Sequence, residues 1–385
     1  MQNIQTMTEA KEKRPAIPPT VQLKLWIRSG GRCQLCNEVV YEDGFTLKEV
    51  NWSNIAHIIS WSPNGPRGHK TLSKKLAQDY SNLMLMCSKH AKLIDTKPYV
   101  VEYPVEKLKL IKDEHEKRIE TLTAITNEAR TYPLIIQSNI GEIPVEINFK
   151  EVEVGITENR MYPKDKPFLI NLTGDISDGT ADYYKSKALI ITEKIKAFLD
   201  KFNDLSERQH ISIFPIALMP LLVHLGKEIG DKHSIQLFQH HRSPSSWIWL
   251  DEEVNKEYII DRPNSIESSK EVYLKIALSD SIGMDKINTL GKISKNIYQI
   301  GIENPTTRFL TNRVLVPKFD AIYRQVLNEI QLIHGHDCTI HLLLAVPAPI
   351  AVQCGLSLLS RKDPAIWAYD YDKKHGGFIK ALRVN

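Results

Sequence analysis

The chain has 385 residues, of which 42% are hydrophobic and 25% charged, a composition typical of soluble globular proteins. Because this length exceeds that of one ordinary hydrophobic core, two or three domains are expected. No apolar run approaches the roughly 18 residues of a membrane-spanning segment. The opening residues, MQNIQTMTEAKEKRP, are polar and lack the apolar segment of a secretory signal, so we expect a cytoplasmic protein.

The net charge of +4 is unevenly distributed. Residues 1–120 contain 19 Lys and Arg against 14 Asp and Glu, and the remainder contains 31 against 32. A modestly basic N-terminal part favours contacts with a phosphate backbone. The near-neutral remainder argues against a DNA-reading domain, which is normally basic.

The first part of the chain predicts a compact unit of short elements. A flexible leader over residues 1–19 precedes a helix (VQLKLWIRSGG), a Cys-x-x-Cys turn (CQLC) and two strands (Val39–Tyr41 and Asn54–Ser60). After them come a basic Gly/Pro loop (SPNGPRGHK), a strand or turn that enters a helix (SNLMLMCSKHAKLID) and a charged helix (VEKLKLIKDEHEKRIETLTA). The last has apolar residues at helical spacing. We therefore predict a domain over residues 20–125 and a linker over residues 126–145.

The remaining residues, 146–385, contain an internal repeat. In each copy a buried strand enters a Pro-containing turn and an amphipathic helix, and a second and a third strand follow. The copies are ISIFPIALMPLLVHLGKEI with HSIQLFQHHRSPSSWIWL, and IHLLLAVPAPIAVQCGLSLL with PAIWAYDYDKKHGGFIKAL. Phe214–Pro215 aligns with Val346–Pro347. Strand–helix–strand alternation predicts parallel, Rossmann-like sheets in a pseudo-twofold pair, although two unrelated strand–helix units could look alike.

Two pairs of metal-ligand residues stand in the first part. Cys33 and Cys36 form a Cys-x-x-Cys pair, and Cys87 and His90 form a Cys-x-x-His pair. Two-residue spacing lets one tight turn present two ligands to the same ion, and a structural zinc needs four. The odd count of five cysteines argues against a disulfide framework. The sequence therefore predicts structural Zn²⁺ at these side chains, the alternative being buried free cysteines with a surface histidine.

The segment between the two pairs, NIAHIISWSPNGPRG followed by SNLMLMC, resembles the HNH nuclease motif. That ββα-metal fold hydrolyses phosphodiesters with one divalent cation. The resemblance implies that His57 is the general base and that the Asn82 carbonyl orients its imidazole. Mg²⁺ or a similar cation would stabilise charge at the scissile phosphate.

The motif departs from the HNH pattern at two positions. The family usually has an acidic residue or His where this chain has Ala56, and a His or Asn where it has Ala91. His90 could take the catalytic role and leave zinc short of a ligand, or Ala91 could disable the enzyme. Asp95, one helical turn beyond Ala91, is the candidate for a remaining cation ligand.

The two halves together resemble the HNH–SAVED effector endonucleases of CBASS antiphage systems, over nearly the whole chain. The segments that carry the likeness are GGRCQLC, IAHIISWSPNGPRG, NLMLMCSKHAKLID, HHRSPSSWIW and LLLAVPAPIAVQCGLSLL. The implied fold is a multidomain α+β and α/β protein, with an HNH domain followed by two fused Rossmann-like (CARF-like) units forming a SAVED domain. Such proteins bind a cyclic oligonucleotide second messenger, commonly a cyclic dinucleotide. Binding drives homo-oligomerisation, from dimer to tetramer, and the nuclease then degrades double-stranded DNA.

Ligands of open parallel sheets bind beyond the carboxyl ends of the strands, where loops and helix N-termini converge. Here the loops span residues 215–220, 240–247, 347–353 and 370–377. Arg and Lys side chains could supply charge to phosphates, and aromatic rings could stack on a base. The candidate contacts are Arg242, Trp247, Pro347, Pro349, Tyr369, Lys373 and Lys374. The competing role for Trp247 is packing in the core. The competing role for the two lysines is a place in a solvated turn.

These features favour a cyclic-dinucleotide-activated, metal-dependent double-stranded DNA endonuclease that acts as an antiphage effector. One alternative is an inactive HNH-fold ligand sensor or DNA-binding protein, which Ala91 keeps open. Another is an ungated restriction-type HNH nuclease, against which the near-neutral second half argues.

Overall fold

The computed structural model describes residues 14–43, 48–126, 129–174, 179–202, 208–253 and 257–385. The chain divides into two compact units, Met1–Ile125 and Thr126–Asn385. Residues 1–13 of the predicted leader lie outside the described residues. No helix in the described part of the chain is both long and apolar enough to cross a membrane.

The first unit is built around two short antiparallel strands. Its elements are α1 (Pro19–Ser29), β1 (Ser53–His57), α2 (Leu72–Lys75), β2 (Leu83–Cys87), α3 (Ser88–Leu93) and α4 (Val105–Thr123), with 3₁₀ helices at Tyr80–Asn82 and Tyr99–Val101. β1 and β2 pair from Ser53 with Cys87 to His57 with Leu83. Every residue of β2 is buried, as expected for the apolar run LMLMC. Helix α1 ends at Gly30, whose φ of 62° gives the left-handed C-cap that glycine adopts without strain.

The structure corrects one strand of this unit. The strand predicted at Val39–Tyr41 is reduced to a single bridge between Arg32 and Val39. The reason is the tight turn between them, where Asn37 has a left-handed φ of 65° and the chain reverses over a few residues. The strand predicted at Asn54–Ser60 corresponds to β1. The strand or turn predicted to enter a helix corresponds to β2 followed by α3.

The second unit begins with a parallel sheet and its helices. Its elements are β3 (Arg130–Gln137), α5 (Phe149–Glu158), β4 (Tyr162–Pro163), β5 (Phe168–Asn171), α6 (Ala181–Leu199), β6 (His210–Ile216), α7 (Met219–Ile229) and β7 (Ser234–Leu237). β3 pairs with β4 and β5 on one side and with β6 on the other, and β6 pairs with β7, all in parallel. The segment predicted as a linker therefore contains an interior strand of this sheet, which its apolar run PLII explains.

A larger mixed sheet follows. Its elements are β10 (Ile259–Asp261), β11 (Glu271–Ala277), α8 (Met284–Ile287), β12 (Ile297–Gly301), α9 (Leu315–His334), β13 (Thr339–Ala345), α10 (Ala348–Leu356), β14 (Ala365–Asp372) and β15 (Gly377–Arg383), after a small hairpin of β8 (His241–Arg242) and β9 (Ser245–Ser246). The strand order is β10-β12-β11-β13-β14-β15. The four inner strands are parallel, and the two edge strands are antiparallel to their neighbours. Parallel, Rossmann-like sheets are thus confirmed.

The predicted repeat corresponds to β6-α7-β7 and β13-α10-β14. Helices α7 and α10 touch through their backbones at two equivalent glycines. A Cβ placed on Gly226 would lie 2.1 Å from the Val352 carbonyl oxygen, and one on Gly355 would lie 1.9 Å from the Val223 carbonyl oxygen. No side chain fits at such distances, so both positions require glycine. The contact is reciprocal, as a pseudo-twofold pair requires.

Two details of the repeat differ from the prediction. Pro215 lies within β6, whereas Pro347 is the N-cap of α10, so the two prolines are not equivalent. The equivalent prolines are Pro220 and Pro349, each in the first turn of its helix, where a missing N–H costs nothing. The third strand predicted in the first copy is replaced by the hairpin β8-β9, because the residues after it turn into the core.

Candidate metal centre and ligand cavity

The four predicted zinc ligands of the first unit come together. Ligand atoms of Cys33, Cys36, Cys87 and His90 all lie within 4.8 Å of one another. Nδ1 of His90 is 3.2 Å from Sγ of Cys87 and 3.9 Å from Sγ of Cys33. Ligands bound to one tetrahedral Zn²⁺ are themselves about 3.5–4 Å apart, so the donor atoms fit this ion with little rearrangement.

The donor set supports the same ion. Three thiols and one imidazole are a common structural zinc combination. Within the described ranges, this is the one group of three or more Cys, His, Asp or Glu side chains close enough to share a metal. These residues would hold a structural zinc ion.

Local backbone geometry places both ligand pairs. The turn after Cys33 closes when the Asn37 N–H donates to the Cys33 carbonyl at 2.8 Å. The Gln34 side chain ties this turn to β2, since its Oε1 accepts a backbone N–H of that strand at 2.9 Å. Cys87 ends β2 and is the N-cap of α3, so the first turn of the helix brings His90 beside it. A turn and a strand–helix junction therefore supply two ligands each.

His57, the predicted general base, ends β1 and is only 7% exposed. Its Nε2 lies 2.9 Å from the Ala77 carbonyl oxygen. Because a carbonyl can only accept a hydrogen bond, Nε2 carries the hydrogen and Nδ1 keeps its lone pair. Burial lowers the pKa of His57, and the charge of Arg14 lowers it further, against the opposing effect of the Ala77 hydrogen bond. The charge of Asp95 also opposes the shift, and the net lowering of the pKa favours the neutral imidazole, whose free lone pair is at Nδ1.

The structure contradicts the predicted contact between the Asn82 carbonyl and the imidazole. Oδ1 of Asn82 accepts the Ile59 N–H at 2.8 Å, and its amide donates to the Ile59 and Leu76 carbonyls at 2.9 and 3.1 Å. The side chain thus joins the backbone after β1 to the backbone just before Ala77. Asn82 positions His57 only indirectly, through the peptide whose carbonyl holds Nε2.

Asp95 does not lie on α3 as predicted, because that helix ends at Leu93. Its Oδ1 is 2.6 Å from Nη2 of the buried Arg67. The same guanidinium donates to the carbonyls of Ile58 and Ile94, each at 2.7 Å. Arg67 therefore occupies one of the acceptor positions of this carboxylate and balances its charge, which leaves fewer positions for a cation.

Some contributors to this site were not predicted. Ala77 acts through its backbone, which leaves no trace in a sequence. Arg14 belongs to the predicted leader, yet it donates to the Ile55 carbonyl at 2.7 Å and lies within electrostatic range of His57. A single arginine beside prolines does not indicate a role in a catalytic site. Ala56 and Ala91 pack in or against the apolar core of the unit and offer no ligand atom.

The second unit contains a cavity of about 810 Å³, within the range of roughly 300–1,000 Å³ found for small-molecule sites. It lies where carboxyl ends of parallel strands from both sheets converge. The lining includes residues 140–143, 217–219, 279–282, 344–346 and 370–375, which follow or end β3, β6, β11, β13 and β14. This is the position expected for ligands of open parallel sheets.

The two equivalent helices both begin at this cavity. Leu218 and Met219, at the start of α7, line it, and so does Val346, just before the N-cap of α10. Neither N-cap side chain bonds to its helix. Helix N-termini carry partial positive charge and favour anions such as phosphates.

Residues 195–384 match the family described as the SMODS-associated and fused to various effectors sensor domain, SAVED. The second unit contains a SAVED domain. The match begins within α6 and covers both copies of the repeat. No curated protein matched the sequence.

Solved structures of SAVED/CARF-domain receptors are also similar to this chain. Acinetobacter baumannii Cap4 with the cyclic trinucleotide 3'3'3'-cAAA has 14% identity and a TM-score of 0.42, over 83% of this chain and 68% of that chain. The same receptor with 2'3'3'-cAAA has 14% identity and a TM-score of 0.43, over 82% and 70%. Moraxella osloensis Cap4 has 11% identity and a TM-score of 0.37, over 82% and 70%. The SAVED match, rather than these similarities, identifies the domain.

Charged side chains surround one part of the SAVED cavity. Lys373 and Lys374 both line it, as predicted for ligand contacts. Nζ of Lys374 lies 3.5 Å from Oε1 of Glu142, and both side chains are exposed. Lys286, which the sequence did not indicate, also lines the cavity and pairs with Asp280 at 2.7 Å. The exposed Lys374–Glu142 pair contributes little to stability.

The structure places Trp247 in the core instead of the cavity. It is 1% exposed, and its ring packs against Phe214 with centroids 5.1 Å apart. Gly155 lies directly against it, since a Cβ there would be 2.9 Å from the Trp247 Cβ. Core packing, the competing role, is thus the one found, because the chain after the hairpin turns inward.

The other predicted contacts also lie outside the cavity lining. Tyr369 is 4% exposed, and its hydroxyl is 2.8 Å from Nδ1 of His341, on the sheet face opposite to α10. Arg242 is exposed on the hairpin β8-β9. Pro347 and Pro349 shape the start of α10 next to Val346 without lining the cavity themselves.

Proposed function

We propose that the protein is a cyclic-dinucleotide-gated, metal-dependent double-stranded DNA endonuclease that serves as a CBASS antiphage effector. One observation carries the proposal. A SAVED sensor domain shares its chain with a unit that combines a Cys₃His cluster, paired strands followed by a helix, and a buried neutral histidine.

The cavity supports the sensor half of the proposal. Two helix N-termini and the lysines at 373, 374 and 286 suit the phosphates of a cyclic oligonucleotide. Apolar side chains such as Ile143, Leu218 and Phe378 suit its bases. The messenger would gate the nuclease only if it binds the active assembly more tightly than the resting one.

The first unit supports the nuclease half through proton transfer. Nδ1 of His57 would take a proton from water, whose oxygen would attack phosphorus as the bond to the leaving oxygen breaks. The Ala77 carbonyl would stabilise the imidazolium that forms, since it accepts the Nε2 hydrogen. A divalent cation would supply charge stabilisation at the phosphate. In our proposal, the Asp95 carboxylate oxygen that does not contact Arg67 would bind this cation.

The decisive experiment measures plasmid degradation with Mg²⁺ across a panel of cyclic di- and trinucleotides. The wild type, Ala91→His and His57→Ala proteins are compared. Cutting by the wild type with one messenger, and none by His57→Ala, is the expected result. Cutting by Ala91→His alone would mean that the sensor works and the wild-type nuclease is disabled.

The second candidate function is therefore a ligand sensor without nuclease activity. Arg67 pairs with Asp95, and Ala91 packs against the core, so the described residues provide few ligands for a catalytic cation. Failure of every variant to cut, with messenger binding retained, would favour this function. Light scattering with and without messenger tests gating by assembly, and an unchanged mass at saturation would refute it.

A further inference from the structure

One carboxylate in the SAVED cavity lacks a matching cation. Asp370 lines the cavity near the end of β14, on the same strand face as the core residues Ile366 and Ala368. The Tyr184 hydroxyl donates to its Oδ2 at 2.6 Å, and the Tyr371 backbone N–H also donates to the carboxylate. Within the described part of the chain, no Lys, Arg or His forms an ion pair with it.

The environment of Asp370 differs from that of its acidic neighbour. Asp372 pairs with His375, which lowers the pKa of Asp372. Burial raises the pKa of Asp370 to about 6, because the carboxylate is enclosed without a counter-charge. A carboxylate has about four acceptor positions, and two donors leave about half of them for a ligand. Asp370 is thus a half-buried acceptor in the cavity lining, with acceptor positions left for a ligand.

The chemistry of an acceptor-only group selects among parts of a cyclic dinucleotide. Phosphates are repelled by a carboxylate, and they have the lysines and the helix N-termini elsewhere in the cavity. Among the common bases, guanine alone presents two adjacent donors, N1–H and the N2 amine, on its Watson–Crick edge. Adenine and cytosine each present one amine beside an acceptor, and uracil presents one N–H between two acceptors. Two parallel donors match one carboxylate in a bidentate pair.

We infer that Asp370 reads a guanine base, and therefore that the messenger contains at least one guanine. The inference rests on the proposed binding of a cyclic dinucleotide in this cavity. The Tyr184 hydroxyl and the Tyr371 backbone N–H hold the Asp370 carboxylate in place. The group that would recognise guanine is therefore already fixed before the ligand binds. Asp370 is a specificity-determining residue under this inference, and Lys373 and Lys374 bind without regard to base.

The test is titration calorimetry of the full chain with cyclic dinucleotides that carry two guanines, one guanine and one adenine, or two adenines. Ligands with guanine are expected to bind about 10- to 100-fold more tightly than the adenine-only ligand. Asp370→Asn should lose this preference. It should instead favour a xanthine-containing analogue, whose 2-carbonyl accepts from the new amide. That gain of binding also shows that the variant is folded.

Asp372→Asn is the matched control, because it removes a carboxylate of the same strand and cavity that already has a partner. It should keep the guanine preference. Equal affinity for guanine and adenine ligands, or an unchanged preference in Asp370→Asn, would overturn the inference while leaving the proposed function intact. If none of the cyclic nucleotides binds, the proposed function fails and the inference fails with it.

Discussion

Replacing Asp370 with Asn removes a charge that the SAVED cavity holds without a counter-ion. In the folded protein the pKa of this carboxyl is about 6, against 3.8 for the ordinary group. The raised pKa means that ionisation opposes folding. The cost is small below the ordinary pKa of 3.8, grows between the two pKa values and is constant above about pH 7. At about 1.4 kcal/mol per pKa unit, the charge costs about 3 kcal/mol at neutral pH.

Asp370→Asn is therefore expected to increase the free energy of unfolding of the ligand-free SAVED domain by about 3 kcal/mol at pH 7.5, and by less than about 1 kcal/mol at pH 4. The pKa shift already includes the Tyr184 hydrogen bond, which Asn can still accept. Urea unfolding of the full-length wild type and variant at both pH values measures the difference.

The matched control is again Asp372→Asn, for which the sign is reversed. His375 lowers the pKa of Asp372, so that carboxylate favours folding above its ordinary pKa and its removal cannot stabilise the domain at pH 7.5. A less stable Asp370→Asn variant at pH 7.5, or a stability difference independent of pH, would refute the reasoning.

Three further predictions concern the metal centre, the base and the helix contact. Cys33→Ser should abolish zinc binding, measured by elemental analysis, and unfold the first unit, since structural zinc contributes about 10–16 kcal/mol to such sites; a folded, zinc-replete variant would contradict the assignment. His57→Ala should lower the DNA cleavage rate about 10²- to 10⁴-fold at unchanged zinc content; a smaller loss would exclude it as general base. Gly226→Ala should destabilise the SAVED domain by several kcal/mol in thermal unfolding, because its Cβ would lie 2.1 Å from a carbonyl oxygen. Gly301→Ala, whose Cβ would meet nothing closer than 3.6 Å, is its control.

The features that could be predicted from sequence are those that local spacing determines. Cys33 and Cys36, like Cys87 and His90, are brought together by one turn or one strand–helix junction, and such geometry is encoded within a few residues. The order of strands and helices followed from apolar runs in the same way. The joining of the two ligand pairs needed only the assumption of four-coordinate zinc.

Tertiary hydrogen bonding could not be predicted. Asn82 is in the motif position expected to orient His57, but its amide pairs with backbone that only the folded loop brings near. Trp247 is an aromatic residue in a loop, which suggested base stacking. The direction in which the chain leaves the short hairpin β8-β9 places it in the core instead, and residue types alone do not predict that direction. The role of Asp370 could not be predicted, because acidic residues are common at strand ends and only the fold shows which charges surround this one.

The backbone contact between α7 and α10 has a consequence for the shape of the cavity. Residues at the start of both helices line or adjoin the same cavity, and at Gly226 and Gly355 the two helices are already as close as atoms allow. The helices therefore cannot pack closer together at this crossing to enclose a smaller ligand. Under the proposed function, acceptance of a ring of another size would require changes in the loops that line the cavity or replacement of one of these glycines.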